Sequence, residues 1–145
     1  MDKPTPSLEA EIAALRETYA ALNRNDIETA VKPFDPQIAW IEPAEYTGSE
    51  TCHGRAAVAA HLSRARSTWA EGSCEAERFI GAGDKIVVFI KVHVRLKQES
   101  QWREAQHAAV YTFRNGKAIE HRIFDDTQQA LEWAGVKGSE ANQGQ

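Results

Sequence analysis

Residues 104–126, EAQHAAVYTFRNGKAIEHRIFDD, hold two alternating runs that fold back on each other about Asn115 and Gly116. Arg114-Asn115-Gly116-Lys117 is a two-residue hairpin signal, because both turn residues must take positive φ and Asn-Gly does so at little cost. With Arg114 opposite Lys117, an uninterrupted ladder sets Tyr111 against Glu120, Ala109 against Arg122 and His107 against Phe124. Asp126 then sits beside Ala105, one diagonal step from His107. In this register His107, Arg122 and Asp126 share a face. A second two-residue turn, at Glu99 and Ser100, places Val88, Ile90, Val92 and Val94 on that face, against Tyr111, Ala109, His107 and Ala105. The polar trio is thus expected to point inward, while Lys91, His93 and Arg95 meet Ala108, Gln106 and Glu104 outside. A slip of one residue in either turn reverses the assignment.

Working outward from the hairpin, CEAERFIGA (74–82) and KIVVFIKVHVRLK (85–97) read as two earlier strands of the same meander. TQQALEWAG (127–135) closes it with a helical turn or two. Upstream, Leu8, Ile12, Leu15, Tyr19 and Leu22 recur at steps of three and four and make one apolar helical stripe. Ser7 is the expected cap of that helix. Asn25 or Asp26 caps a short second helix that Pro33 and Pro36 end. QIAWIEP (37–43) reads as a strand with Trp40 and Glu42 on one face, stopped by Pro43. EYTGSETCHGR is loop, and RAAVAAHLSRARSTWAEG (55–72) a third helix with Val58, Leu62, Ala65 and Trp69 on its apolar side. The order is α+β: helices in the N-terminal half cover one face of a curved sheet.

The bulk properties narrow the function classes. The chain has 145 residues, a net charge of −4 and 17 scattered Lys and Arg, so it presents no basic footprint for nucleic acid or an anionic membrane. The apolar runs are far too short to span a bilayer, and MDKPTPSLEAE lacks the order of a signal peptide, so a cytoplasmic location is expected. Cys52 and Cys74 fit neither a zinc knuckle nor a redox pair and read as free thiols. Cys52-His53 suggests a Cys-His pair, although neighbours in sequence seldom turn their side chains together. The five histidines have no metal-ligand spacing, and His93 and His121 face outward by register. Gly81-Ala82-Gly83-Asp84 opens a hairpin rather than a phosphate-binding helix. Neither a metal nor a cofactor is expected.

Arg, Asp and His among Val, Ile and Phe are costly unless paired or wetted by a cavity. Two readings follow: Arg122 and Asp126 form a structural ion pair with His107 a core histidine, or all three line a hole between sheet and helices. Glu42 would join them from the first strand. Tyr19, Trp40, Trp69, Ala109, Tyr111 and Phe124 would line the hole, with Trp69 and Trp102 also serving as packing residues.

YAALNRNDIETAVKPFDPQIAWIEP, CHGRAAVAAHL and VYTFRNGKAIEHRIFDDTQQALEWAG together resemble the nuclear transport factor 2-like superfamily, in its SnoaL-like and ketosteroid-isomerase-like branch. The resemblance spans residues 8–135 as one domain, with 1–7 and 136–145 as flexible tails. It implies a cone-shaped, strongly bent antiparallel sheet covered by three N-terminal-half helices around a pocket. It also implies a homodimer through the outer sheet face, in keeping with apolar Ala108, Val110, Ile119 and Ile123, which a monomer would leave partly exposed. Asp126 matches the acid–base aspartate of SnoaL-like cyclases, and Glu42-Pro43 matches the carboxylate base of ketosteroid isomerases. The isomerases' oxyanion partners fall at Thr18 and Ala109 and are lost, which argues against authentic steroid isomerisation. Of the Asp-Arg-Asp set of limonene-epoxide-hydrolase-like enzymes, Arg122 and Asp126 supply two members.

Two hypotheses result. One is cofactor-free isomerisation, cyclisation or dehydration of a small hydrophobic carbonyl compound, with Asp126 or Glu42 as base, His107 as proton shuttle and Arg122 as orienting group. The other is a non-catalytic ligand-binding or dimeric association module.

Overall fold

The computed structural model describes residues 6–42 and 51–136. Pro43 as a strand stop, the loop around residues 45–50 and most of both expected tails lie outside them. Helix α1 spans Pro6–Asn23 and α2 Ile27–Ala30, with the Asp26 carboxylate accepting from Thr29 N at 3.2 Å. α1 begins at Pro6 rather than after a Ser7 cap, since the fixed φ of proline suits a first turn. Strand β1 (Phe34–Ile41) is followed by β2 (Cys52–His53), α3 (Arg55–Ser67), β3 (Trp69–Ala82), β4 (Lys85–Leu96), β5 (Arg103–Arg114), β6 (Lys117–Phe124) and α4 (Thr127–Ala134). α3 therefore stops before Trp69, which opens β3 instead of extending the helix.

The six strands form one bent, unclosed sheet in the order β2-β1-β6-β5-β4-β3. It is antiparallel except where β1 runs parallel to β6, with Trp40 beside His121 and Ile41 beside Arg122. That pairing is one departure from the expected all-antiparallel sheet. β2, within the stretch read as loop, is the other. Two register shifts in β3–β4 help to bend the sheet. At one of them Gly72 has φ +120, and a Cβ there would lie 2.2 Å from the His93 carbonyl oxygen.

The turn at Asn115 (φ 53) and Gly116 (φ 80) forms as the dipeptide dictates. The ladder beyond it is interrupted. Phe113 pairs with Ala118 but Thr112 with Glu120, so Ile119 is an extra residue on β6. Every later pair moves by one: Tyr111 faces His121, Val110 faces Arg122 and Ala109 faces Ile123. The bulge turns His121 and Ile123 inward and Glu120, Arg122 and Phe124 outward, which spares the interior a guanidinium and a carboxylate. His107 and Arg122 thus occupy opposite faces. Between β4 and β5 the connection is longer than two residues, so Val88 faces Ala109 and Ile90 faces His107. This shift is by two, and the faces survive.

The inner face packs under α1 and α3 around Leu15, Phe34, Ile38, Val58, Ile86, Val88 and Tyr111. The outer face carries a second cluster in which Ala130, Leu131, Ala134 and Val136 cover Ile80, Val87, Ala108 and Val110. Ala108 and Val110 are therefore fully buried within one chain, and Ile123 is inside. Of the four positions expected to be partly exposed, Ile119 is, whereas α4 covers Ala108 and Val110 and the bulge turns Ile123 to the inner face. Among the described residues no helix is long and apolar enough to cross a membrane.

Candidate active site

The inner ends of β1, β6 and β5 bring a chain of aromatic and titratable groups together beneath α1 and α3. Alternation along β1 directs Ile38, Trp40 and Glu42 to the inner side. Trp40 lies flat against His121, ring centroids 3.5 Å apart and 9° from coplanar. Its indole Nε1 donates to Glu42 Oε2 at 2.9 Å. His61, at the middle of α3 and one turn after buried Val58, places Nε2 3.2 Å from the same oxygen. The Glu42 side chain is only 8% exposed and that of His61 11%. This carboxylate is withdrawn from water and engaged twice on one oxygen.

On the far side of His121, Tyr111 meets it edge to face at 5.0 Å. The Tyr111 hydroxyl shares a 2.7 Å hydrogen bond with that of Tyr19 on α1. Burial drives the Tyr111 hydroxyl above its ordinary range, the Tyr19 bond opposing, so the Tyr111 phenol is retained as an O–H group. Burial likewise pushes the His121 imidazole down to about 3, against the pull of nearby Glu42, and the ring is neutral. Its Nδ1 has no hydrogen-bond partner among the described residues. Cys74, pushed up to about 12 by burial, is an inert thiol.

Two residues along β5 from Ala109, His107 sets Nδ1 3.1 Å from Asp125 Oδ1. Its ring is mostly covered and the aspartate mostly exposed. Inner-face order therefore runs from the Trp40–His121–Tyr111 row, past Ala109 and Ile123, to the His107–Asp125 pair.

Glu42, Trp40, Tyr19, Ala109, Tyr111 and His107 belong to this inner surface. Arg122, Asp126, Phe124 and Trp69 do not join it. Arg122 pairs with Glu120 at 3.3 Å and lies 4.6 Å over the Trp133 ring on the outer face. Asp126 caps α4, its Oδ1 accepting from Gln128 N at 2.8 Å. Phe124 packs under α4, and Trp69 lies at the margin of the inner core beneath Arg66. Trp102, read as a packing residue, is 44% exposed and stacks on His93. Cys52 is buried and His53 exposed, as alternation along β2 requires, so the two do not pair. Thr18, at the isomerases' tyrosine position, donates to the Ala30 carbonyl at 2.8 Å and ties α1 to α2.

Three members of the site were missed. His121 was assigned outward by the unbulged register and is inward. His61 carried a signal, its spacing of three from Val58 and its neighbour Leu62. Asp125, rather than Asp126, meets His107, and only the bulge reveals it. Among the described residues no cluster of three His, Cys, Asp or Glu could hold a metal ion.

A bent six-stranded sheet with helices on its concave side and polar groups at the inner strand ends defines the nuclear transport factor 2-like fold. The model of the SnoaL-like domain family matches residues 15–121, and the chain belongs to that family. Among solved structures, a nuclear transport factor 2-like protein from Burkholderia xenovorans LB400 is 28% identical, with a TM-score of 0.68 over 87% of this chain and 95% of its own. A protein labelled a SnoaL-like polyketide cyclase, from Jannaschia sp. CCS1, superposes with a TM-score of 0.74 at 12% identity, covering 94% of this chain and 99% of its own. TerC, co-crystallised with polyporic acid, gives 0.70 at 24% identity over 88% and 99%. No curated protein sequence matches the chain.

Proposed function

We propose that this protein binds a small hydrophobic carbonyl compound on the inner sheet face and moves a proton on the carbon next to that carbonyl, in an isomerisation, cyclisation or dehydration. The observation that carries this reading is Glu42. A carboxylate with a side chain 8% exposed, fixed by an indole N–H and an imidazole, is costly to retain for stability alone. It is held by residues of a strand and a helix, Trp40 of β1 and His61 of α3, as a positioned general base is held. Glu42 takes the proton from carbon, and His107, beside Asp125, returns one at the other end of the surface. The hydrogen-bonded pair of Tyr19 and Tyr111, with the Trp40 and His121 rings between it and Glu42, forms the wall against which the substrate carbonyl lies. Arg122 and Asp126 have outer-face partners and take no part in this scheme.

The test is deuterium incorporation in D2O, followed by mass spectrometry across a panel of hydrophobic cyclic ketones and hydroxyquinones. Wild type should exchange the acidic carbon hydrogen of at least one compound. Glu42→Gln should slow that exchange about 10²- to 10⁴-fold, the usual contribution of a positioned base. A panel untouched by wild type, or equal exchange by the variant, removes the proposal.

A further inference from the structure

We infer that His61 is the positioning residue of Glu42: as an imidazolium on α3 it keeps the carboxylate ionised and aimed while both are withdrawn from water. This deepens the reading of Glu42 as a base and rests on it. The two side chains meet at 3.2 Å, Nε2 to Oε2, with each about nine-tenths covered. An ionised carboxylate so placed requires a compensating charge, and the Trp40 indole contributes a neutral hydrogen bond only. Among the described residues, two imidazoles neighbour the carboxylate. His121 is pressed flat against Trp40 and wholly enclosed, so it cannot take a proton without leaving that stack or carrying an unsolvated charge. His61 is the one free to be cationic. Its place on α3 makes this possible, because Val58, His61 and Leu62 turn one helical face toward the core while Ser63, Arg64 and Ala65 face solvent.

Among the described residues of the elements packed against α3, the titratable groups are Asp35 on β1, Glu42 one residue past its end, Cys52 and His53 on β2, and Glu28 on α2, with His121 on the adjoining β6. Asp35 accepts from the Gln37 amide, and His53 is exposed. On α3 itself, Arg55 donates to the Phe34 carbonyl and Arg66 to those of Leu22 and Asn23. Among the described residues, Glu42 is thus the carboxylate that faces His61. When Glu42 takes a proton, the carbon–hydrogen bond breaks, an O–H forms on the carboxylate and the electron pair stays on the substrate as enolate. His61 keeps its proton throughout and touches no reacting atom.

The experiment needs no substrate. Thermal midpoints from pH 4 to 8 are compared for wild type, His61→Phe and the double variant His61→Phe/Glu42→Gln. Without the imidazolium, folded Glu42 would hold its proton to higher pH than the unfolded chain does. The His61→Phe protein should therefore match wild type most nearly at pH 4 and fall behind by several degrees as pH rises. The double variant should lose that widening gap. A His61→Phe deficit that is constant with pH overturns the inference. Should His61→Phe fail to fold, ¹⁵N side-chain NMR of Glu42→Gln decides: its His61 should titrate at least about one pH unit below wild type, as loss of an adjacent charge requires. An unchanged midpoint overturns the inference as well. Both readouts are independent of turnover, so a failed exchange assay removes the catalytic reading without touching this one, and the converse also holds.

Discussion

Trp40 and His121 show how a single residue can be placed against its own polarity. The imidazole is 2% exposed, stacked on the indole, with one ring nitrogen unmatched. Its folded-state value near 3 lies below the unfolded 6.5, so protons bind the unfolded chain preferentially between those limits. Stability due to this group is complete above about pH 6.5 and is lost as pH falls toward 3, at up to roughly 1.4 kcal/mol per pH unit. His121→Phe preserves the stack and removes the titration. Urea unfolding at pH 4, 5 and 7 should show a shallower acid slope for the variant, and parallel slopes would contradict the assignment. Glu42 was legible at this scale because simple alternation ties it to Trp40. Asp126 misled, since an aspartate that ends a strand and begins a helix reads equally as a site residue or a cap.

At the scale of elements, the β6 bulge decides which side chains the site receives. Deleting Ile119 would remove the extra residue and leave the later pairs in place, with His121 opposite Tyr111, Arg122 opposite Val110 and Ile123 opposite Ala109. We expect the deletion protein to fold with the same residues inward, checked by circular dichroism and a retained cooperative thermal transition. Loss of that transition would mean that the bulge itself, and not only the pairing beyond it, is needed for the fold. Turn chemistry was readable in Asn115-Gly116, whereas the bulge has no residue signature: Ile119 differs from its neighbours only in what a straight ladder would bury. The parallel β1–β6 contact was equally illegible, because pairing partners remote in sequence leave no local pattern. The edge of β3 offers a second test. Asn23, at the end of α1, accepts from the Cys74 amide at 2.8 Å and donates to its carbonyl at 3.0 Å, occupying an edge position as a neighbouring strand would. Asn23→Ala leaves both backbone groups without that partner and should cost about 1–3 kcal/mol in chemical denaturation. A change within a few tenths would show that water replaces it.

Across the whole molecule, the sheet is covered on both faces by the same chain, and the outer cover is small. α4 and Val136 bury Ala130, Leu131, Ala134 and Val136 against Ile80, Val87, Ala108 and Val110. Truncation after Asp126 should expose that face, lower the thermal midpoint and produce concentration-dependent association in light scattering. A truncated chain that stays monomeric and equally stable would show the cover to be dispensable. The fold class was legible because helix and strand periods alternate cleanly along the chain. The use of the outer face was not, since Ala108 and Val110 look the same beneath a helix as beneath another protein.

The parallel contact between β1 and β6 also sets an order of events. Trp40 lies in the first strand, with Glu42 just past its end, and the His121 that stacks on Trp40 lies in the last. The β3–β4–β5–β6 meander closes through neighbouring hairpins, whereas β1 must be captured across most of the chain, at a greater loop entropy. The Trp40–His121 stack therefore forms only after β6 is made, and a nascent chain holds Trp40 without the ring that covers it until β6 has emerged from the ribosome.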